Sequence, residues 1–296
     1  MQTPVRTVGV VGCGLMGAGI AQVAAQAGYR VRVREVDRPT LEKGLGRIDQ
    51  FLSRAVEKGK LTAADREKAL GNLQGTTSLG DLADCDLVIE AIVEEIEAKK
   101  ALFRELDGIC PPRTIFATNT SSLTVIEMAA ATTRPDRFAG LHFFNPVPLM
   151  ALVEVVRTIA TSDATFEAVR AFAVGVGKTP IVAKDRGGFI VNYLLIPYLL
   201  DAVRALEAGV ATVTDIDQGM RLGCGYPMGP FTLLDFVGLD TAFKVAEVFF
   251  HEYREPRYAP PPLLRKMVLA GYLGKKSGKG FYTYDTGPPT VTPLGL

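Results

Sequence analysis

The chain predicts an α/β fold: a doubly wound sheet with an inserted helical hairpin, followed by a smaller all-α C-terminal domain. Three features lead there. Short β-branched runs alternate with helical stretches as far as Ala183, a glycine-rich turn joins the first strand to the first helix, and from Gly188 onward only helical periodicity remains. The boundary is expected across residues 184–187, giving domains 1–184 and 185–296. At 296 residues there is room for two cores, and 48% apolar residues with no tryptophan and a net charge of +1 describe an ordinary globular composition. No basic surplus points to a nucleic acid.

Residues 6–37 read as strand, turn, helix, strand. Val8, Val10 and Val11 begin the unit, Gly12-Cys-Gly-Leu-Met-Gly17 turns it, residues 18–27 form a helix, and Val31-Arg-Val-Arg-Glu35 returns to a strand. Gly12 and Gly14 permit a tight turn and close approach to a pyrophosphate, with Leu15 and Met16 in the same loop, and Gly17 permits close helix packing. The helix start offers its unpaired N–H groups to the phosphates. Glu35 falls about twenty residues after the loop, where an acid hydrogen-bonds an adenosine ribose 2′-OH and repels a 2′-phosphate. The unit is therefore read as Rossmann-type and its cofactor as NAD in preference to NADP. Asp37 competes for the ribose role, and the glycines alone could be a mere tight turn.

The next strand expected after Glu35 is 86–90, too far along for an ordinary crossover, so something is inserted. Leu41, Leu45, Ile48, Leu52 and Val56 mark a helix over 41–57, and Thr62-Ala-Ala-Asp65 caps a second that ends near Leu73. Arg54, Lys58 and Lys60 lie near the turn of this hairpin, where they could hold an anionic substrate tail or be a solvated helix end. The strands over 86–92 and 114–117 both leave the carboxyl edge of a parallel sheet, where ligands bind. That places Glu94, Lys99 and Ser121 near a cofactor on the glycine loop, while Ser122 or Thr124 could cap the following helix.

The chemistry is expected around 140–156. His142, one of two histidines, ends a short apolar strand, and Glu154 sits inside Leu152-Val-Glu-Val-Val156, where an unpaired carboxylate would be expensive. Asn145, Pro146 and Pro148 reverse the chain between them, so the two strands can bring imidazole and carboxylate together. A glutamate on one ring nitrogen leaves the other as a proton acceptor, which a general base requires. The pattern also admits a histidine packed at a strand end and a glutamate whose head reaches solvent.

A helix over 164–176 and a strand over 179–183 complete the alternation; helices are then expected at 189–206, 213–222, around 233–253, and 263–270. Asn192 is the one amide side chain in the apolar stretch 189–195. The tail 271–280 has the composition of a phosphate loop without its order and is read as a structural turn. Cys13, Cys85, Cys110 and Cys224 lack any metal or redox spacing, so reduced thiols, no metal and a cytoplasmic setting are expected. The first strand starts too close to Met1 for a targeting peptide. The longest uncharged run, 187–200, is shorter than the ~20 residues of a membrane span. The apolar surplus of the helical half predicts a homodimer.

The chain resembles the 3-hydroxyacyl-CoA dehydrogenases, most closely the short bacterial 3-hydroxybutyryl-CoA dehydrogenases. The resemblance runs through the glycine loop, Ile-Glu-Ala-Ile-Val-Glu at 89–94, Asn119-Thr-Ser-Ser122, His142-Phe-Phe-Asn-Pro-Val-Pro148, Val153-Glu-Val155, Gly187-Gly-Phe-Ile-Val-Asn192, Tyr226-Pro-Met-Gly-Pro230 and Gly278-Lys-Gly-Phe-Tyr282. It implies NAD-dependent oxidation of a 3-hydroxyacyl-CoA by a catalytic pair, His142 and Glu154. Ser121 and Asn192 would contact the substrate, with Asn145 in the same cleft. Glu35, Glu94 and Lys99 would meet NAD, Ser53 and Lys60 would meet coenzyme A, and the protein would be a dimer. Ala151 stands where relatives usually carry a lysine, and Tyr193 where many carry a basic residue; both bear on how the acyl-CoA is gripped. Two other readings are a related sugar-acid dehydrogenase, which comparative turnover of acetoacetyl-CoA and gulonate separates, and a non-enzymatic dinucleotide-binding protein of the lens-crystallin kind. The retained His142, Glu154, Ser121 and Asn192 argue against the last.

Overall fold

The computed structural model describes residues 5–285 and 287–295. The chain forms two compact units, Met1–Phe189 and Ile190–Leu296, so the division falls slightly later than residue 184.

Among its described residues the first unit holds eight strands in one sheet. It opens with β1 (Thr7–Val11), α1 (Leu15–Gln26) and β2 (Arg30–Arg34), followed by the inserted helices α2 (Arg38–Glu57) and α3 (Ala63–Gly71). Then come β3 (Leu73–Thr76), β4 (Leu87–Glu90), α4 (Ile96–Ile109), β5 (Ile115–Thr118), α5 (Val125–Ala129) and β6 (Phe138–Phe143). The unit closes with β7 (Leu152–Arg157), α6 (Asp163–Gly175) and β8 (Thr179–Lys184). The strand order is β3-β2-β1-β4-β5-β6-β7-β8. All neighbours are parallel except β6 and β7, which the short 144–151 connection folds back as an antiparallel pair. β1 and β4 are buried along their whole length, as continuous apolar runs covered on both faces by helices must be.

The hairpin differs from expectation at its end. Its second helix stops at Gly71, and Leu73–Thr76 forms β3, an edge strand in register with β2 from Val31↔Leu73 to Arg34↔Thr76. The segment Leu-Gln-Gly-Thr carries little strand signal because an edge strand needs apolar contact on few positions. Gly75 lets α2 lie close, since a Cβ there would stand 2.9 Å from Leu45 Cδ1. The cap of α5 also differs. Thr124 occupies the N-cap position without a side-chain bond, and Asp185, just beyond β8, accepts from Val125 N (2.8 Å) and Ile126 N (2.7 Å) instead.

The second unit contains α7 (Val191–Glu207), α8 (Val213–Cys224), α9 (Pro230–Val237), α10 (Leu239–Tyr253) and α11 (Pro262–Leu269). The helical segment expected around 233–253 is divided at Gly238, whose φ of 99° no helix accommodates. Phe231, Leu234, Phe249, Tyr258 and Phe281 are fully buried in its core. Asp217 caps α9 through Phe231 N (2.8 Å) and Thr232 N (3.0 Å), and Asp235 ties down the tail through Phe281 N and Tyr282 N. The tail makes a single turn at Lys275–Ser277 and then a two-stranded ribbon, β9 (Tyr282–Thr283) with β10 (Thr290–Val291), so the unit is helical but not purely so. Among the described residues no helix is long and apolar enough to cross a membrane, and no group of three metal-ligating side chains converges.

Candidate active site

The antiparallel register of β6 and β7 sets His142 directly opposite Glu154. Side chains of directly opposed residues lie on the same face of a sheet, so the two meet: His142 Nδ1 lies 2.7 Å from Glu154 Oε2. The histidine is 5% exposed and the glutamate 0%. With Nδ1–H donating to the carboxylate, Nε2 is left as the acceptor. The imidazole is flanked by Phe144, its ring centre 4.5 Å away, and by Phe189 at 5.6 Å. Phe189 holds a left-handed backbone (φ 51°), which an aromatic residue adopts only when its surroundings impose it.

The loop leaving β5 carries Ser121 and is hung on Glu94. One oxygen of that carboxylate, Oε1, accepts from Thr120 Oγ1 (2.6 Å) and Ser121 N (2.9 Å), with Ser121 Oγ at 3.3 Å. The other, Oε2, pairs with Lys99 Nζ at 3.1 Å. Burial pushes the Glu94 carboxyl up, but the Lys99 charge and the bonds from Thr120 and Ser121 outweigh it and hold the group below the usual glutamate value. Lys99, expected to meet the cofactor, is 1% exposed and bonded to both Glu94 and Glu90, so it lies beneath the loop and not on its surface. One loop residue earlier, Asn119 Oδ1 accepts from Phe143 N (2.8 Å) and ties the loop to the strand of His142.

The glycine loop fits a dinucleotide. Gly12 holds φ 94° with the carbonyl of Ala91 so close that any Cβ would fall 2.5 Å from it, whereas a Cβ built on Gly14 meets nothing within 4 Å. That open side faces off the start of α1, whose N-cap carries no side-chain bond to compete with a phosphate. Leu15 is exposed and Met16 half-buried beside it; Gly17 packs on the Gly12 carbonyl. Glu35 follows β2 directly, one oxygen accepting from Cys13 N (2.7 Å) and the other from Val36 N (2.7 Å). Burial, with Glu35 adding to it, pushes the Cys13 thiol up to about 11, so at neutral pH it puts no negative charge beside a pyrophosphate.

Residues 7–186 match the NAD binding domain of 3-hydroxyacyl-CoA dehydrogenase, and residues 188–284 match its C-terminal domain. The chain belongs to the 3-hydroxyacyl-CoA dehydrogenase family. It is 51% identical over 286 residues to the 3-hydroxybutyryl-CoA dehydrogenase of Mycobacterium tuberculosis, covering 96% of this chain and 100% of that one. It is 48% identical to the human mitochondrial hydroxyacyl-coenzyme A dehydrogenase, over 95% of this chain and 91% of the other. The crystal structure of (S)-3-hydroxybutyryl-CoA dehydrogenase from Ralstonia eutropha superposes with a TM-score of 0.92 at 46% identity, covering 95% of this chain and 100% of that chain. NAD-dependent 3-hydroxyacyl-CoA oxidation is the activity these relationships support.

Ser53 and Lys60, which the resemblance assigns to coenzyme A, lie on α2 and in the turn that follows it. The Ser53 hydroxyl bonds Asp49 (3.3 Å) and receives Arg66 Nε (3.1 Å), on the side of α2 that faces α3. Lys60 is exposed in the α2–α3 turn. The opposite stripe of α2, Arg47, Gln50, Phe51 and Arg54, has i, i+3, i+4, i+7 spacing and lines a pocket of about 320 Å³ with Leu15, Gln22 and the Asn145–Pro148 turn. One Nη of Arg47 is buried there with no hydrogen-bond partner among the described residues. The helical period carries this stripe in the sequence, and Arg54 is its member nearest the turn. Asn192 lies half-buried on the first turn of α7 in the second unit.

Proposed function

We propose that this dehydrogenase acts on a short-chain 3-hydroxyacyl-CoA, of the size of 3-hydroxybutyryl-CoA, converting it reversibly to the 3-oxoacyl-CoA with His142 as general base. The observation that carries the reading is the buried 2.7 Å contact of His142 Nδ1 with Glu154 Oε2. Nε2 takes the proton of the 3-hydroxyl, while Glu154 holds the ring in one orientation and offsets the positive charge it acquires. Ser121 and Asn192 hydrogen-bond the substrate oxygens. NAD, when bound, supplies the acceptor for the hydride that leaves C3. Gly12, Gly14, Leu15, Met16 and Gly17 receive its pyrophosphate, Glu35 its adenosine ribose, and Glu94 and Asn145 its nicotinamide half; Lys99 serves it through Glu94. A panel of C4 to C16 substrates tests the chain length: kcat/KM is expected to peak at C4, and a peak at long chains rejects that assignment.

The anionic coenzyme A portion is assigned to the Arg47 and Arg54 stripe. Arg54→Ala is expected to raise the KM for acyl-CoA by roughly 10-fold, the worth of one charged hydrogen bond, and to leave kcat unchanged. An unchanged KM, or an equal rise on Ser53→Ala, returns the assignment to the other side of α2.

Cofactor choice is assigned to Glu35. Glu35→Ser is expected to shift the preference for NAD over NADP by roughly 10- to 150-fold, the ~1.5–3 kcal/mol of a hydrogen bond to a charged group. A wild type that already uses NADPH as well as NADH rejects the assignment.

The protein is further assigned as a cytoplasmic homodimer paired through its second unit. Leu194, Leu222, Phe236 and Leu269 there are large, apolar and exposed, which supports the pairing. Light scattering at micromolar concentration is expected to return twice the chain mass, and a monomer rejects the pairing.

A further inference from the structure

Glu90 is a buried carboxylate that the mechanism above does not use. It ends β4 and is paired on one side with Val11 of β1, which enters the glycine loop, and on the other with Thr118 of β5, which enters the Ser121 loop. Its side chain is 0% exposed and accepts from Lys99 Nζ (2.5 Å), Thr118 Oγ1 (2.6 Å) and Ile92 N (2.7 Å). Lys99 passes the connection to Glu94, whose Oε1 carries Thr120 and Ser121. Thr118 Oγ1 passes a second one to Thr120 N at 3.2 Å. Both chains of contacts starting at Glu90 therefore end on the same loop.

A buried ion pair is a poor device for stability alone, because well-packed apolar residues of similar volume often do as well or better. Its partners here suggest another use. We infer that Glu90 is a positioning residue for the dehydrogenase reaction: through Lys99–Glu94 and through Thr118 it fixes the loop that presents Ser121. The inference rests on the assignment of Ser121 to the substrate made above.

The test is a double-mutant cycle in kcat/KM for a C4 substrate. Glu90→Gln keeps the shape and leaves Lys99 paired with Glu94, but loosens the hold on that carboxylate. Ser121→Ala is expected to cost about 10-fold in the wild type, where the hydroxyl is in place, and less than about 2-fold in Glu90→Gln, where it is already displaced. A purely structural Glu90 gives losses that multiply instead. Thr118→Val, which removes the second connection without touching a charge, is run in the same cycle and decides the matter where Glu90→Gln does not fold; there too the Ser121→Ala loss is expected to shrink. Multiplying losses with a costly Ser121→Ala overturn the inference and leave the Ser121 assignment standing. A Ser121→Ala without effect in the wild type removes that assignment and the inference together.

Discussion

His142→Gln is expected to remove turnover while NADH binding, followed by fluorescence titration, is little changed. The two effects separate because the glycine loop and Glu35 lie on β1 and β2, whereas the imidazole lies on β6, three strands beyond β1 in the sheet. General-base catalysis contributes ~10²–10⁴-fold, corresponding to roughly 3–5 kcal/mol of barrier at about 1.36 kcal/mol per tenfold. Glutamine is the right replacement: its amide N–H can still donate to Glu154, which is 0% exposed. Alanine would take the imidazole away from that buried carboxylate, and breaking a buried pair costs up to about 3–5 kcal/mol, so lost activity could be lost folding. A His142→Gln enzyme within about tenfold of wild type, less than general-base catalysis usually supplies, sinks the mechanism.

Glu154→Gln is expected to be slow by a smaller factor. The amide can still accept from Nδ1–H and hold the ring, but it lacks the charge that offsets the proton arriving at Nε2. Losing a charge-assisted hydrogen bond of ~1.5–3 kcal/mol corresponds to roughly 10- to 150-fold in kcat. Because Glu154 acts only through His142, the double variant is expected to be no slower than His142→Gln alone. Losses that multiply in the double variant would show that the glutamate has a role of its own.

The pairing of His142 with Glu154 was legible because the sequence holds few histidines and because a carboxylate inside a β-branched run has to be paid for by a partner. Proline and asparagine between the two strands then made a reversal the natural connection, and β6 and β7 are antiparallel. The glycine loop was legible for a similar reason: its spacing is imposed by backbone contacts such as that of Gly12 with the Ala91 carbonyl. What escaped was whatever depends on partners remote in the chain. Asp185 caps α5 from about sixty residues away, and no local rule sees it. Lys99 was expected near the cofactor, and only the buried Glu90 and the Glu94 around it explain its depth. On α2 the residues that line the pocket with α1 and the Asn145–Pro148 turn include Arg54, already singled out by its charge near the hairpin tip, and Arg47, which only the packing brings in. β3 was lost because a short edge strand needs so little apolar surface.

The opposed placement of His142 and Glu154 within the sheet ladder affects how the enzyme fails. Many active sites stand on loops that open before the rest of the fold, so activity is lost at temperatures where most of the chain is intact. Here the two residues belong to strands buried nearly end to end, β6 along its entire length. Their backbone amides are expected to exchange with deuterium only through global opening of the first unit, and heat inactivation to coincide with melting instead of preceding it. A one-residue slip of either strand would turn its own member of the pair to the opposite face, so the pair has no half-broken state: it is aligned while the sheet persists and gone when it does not.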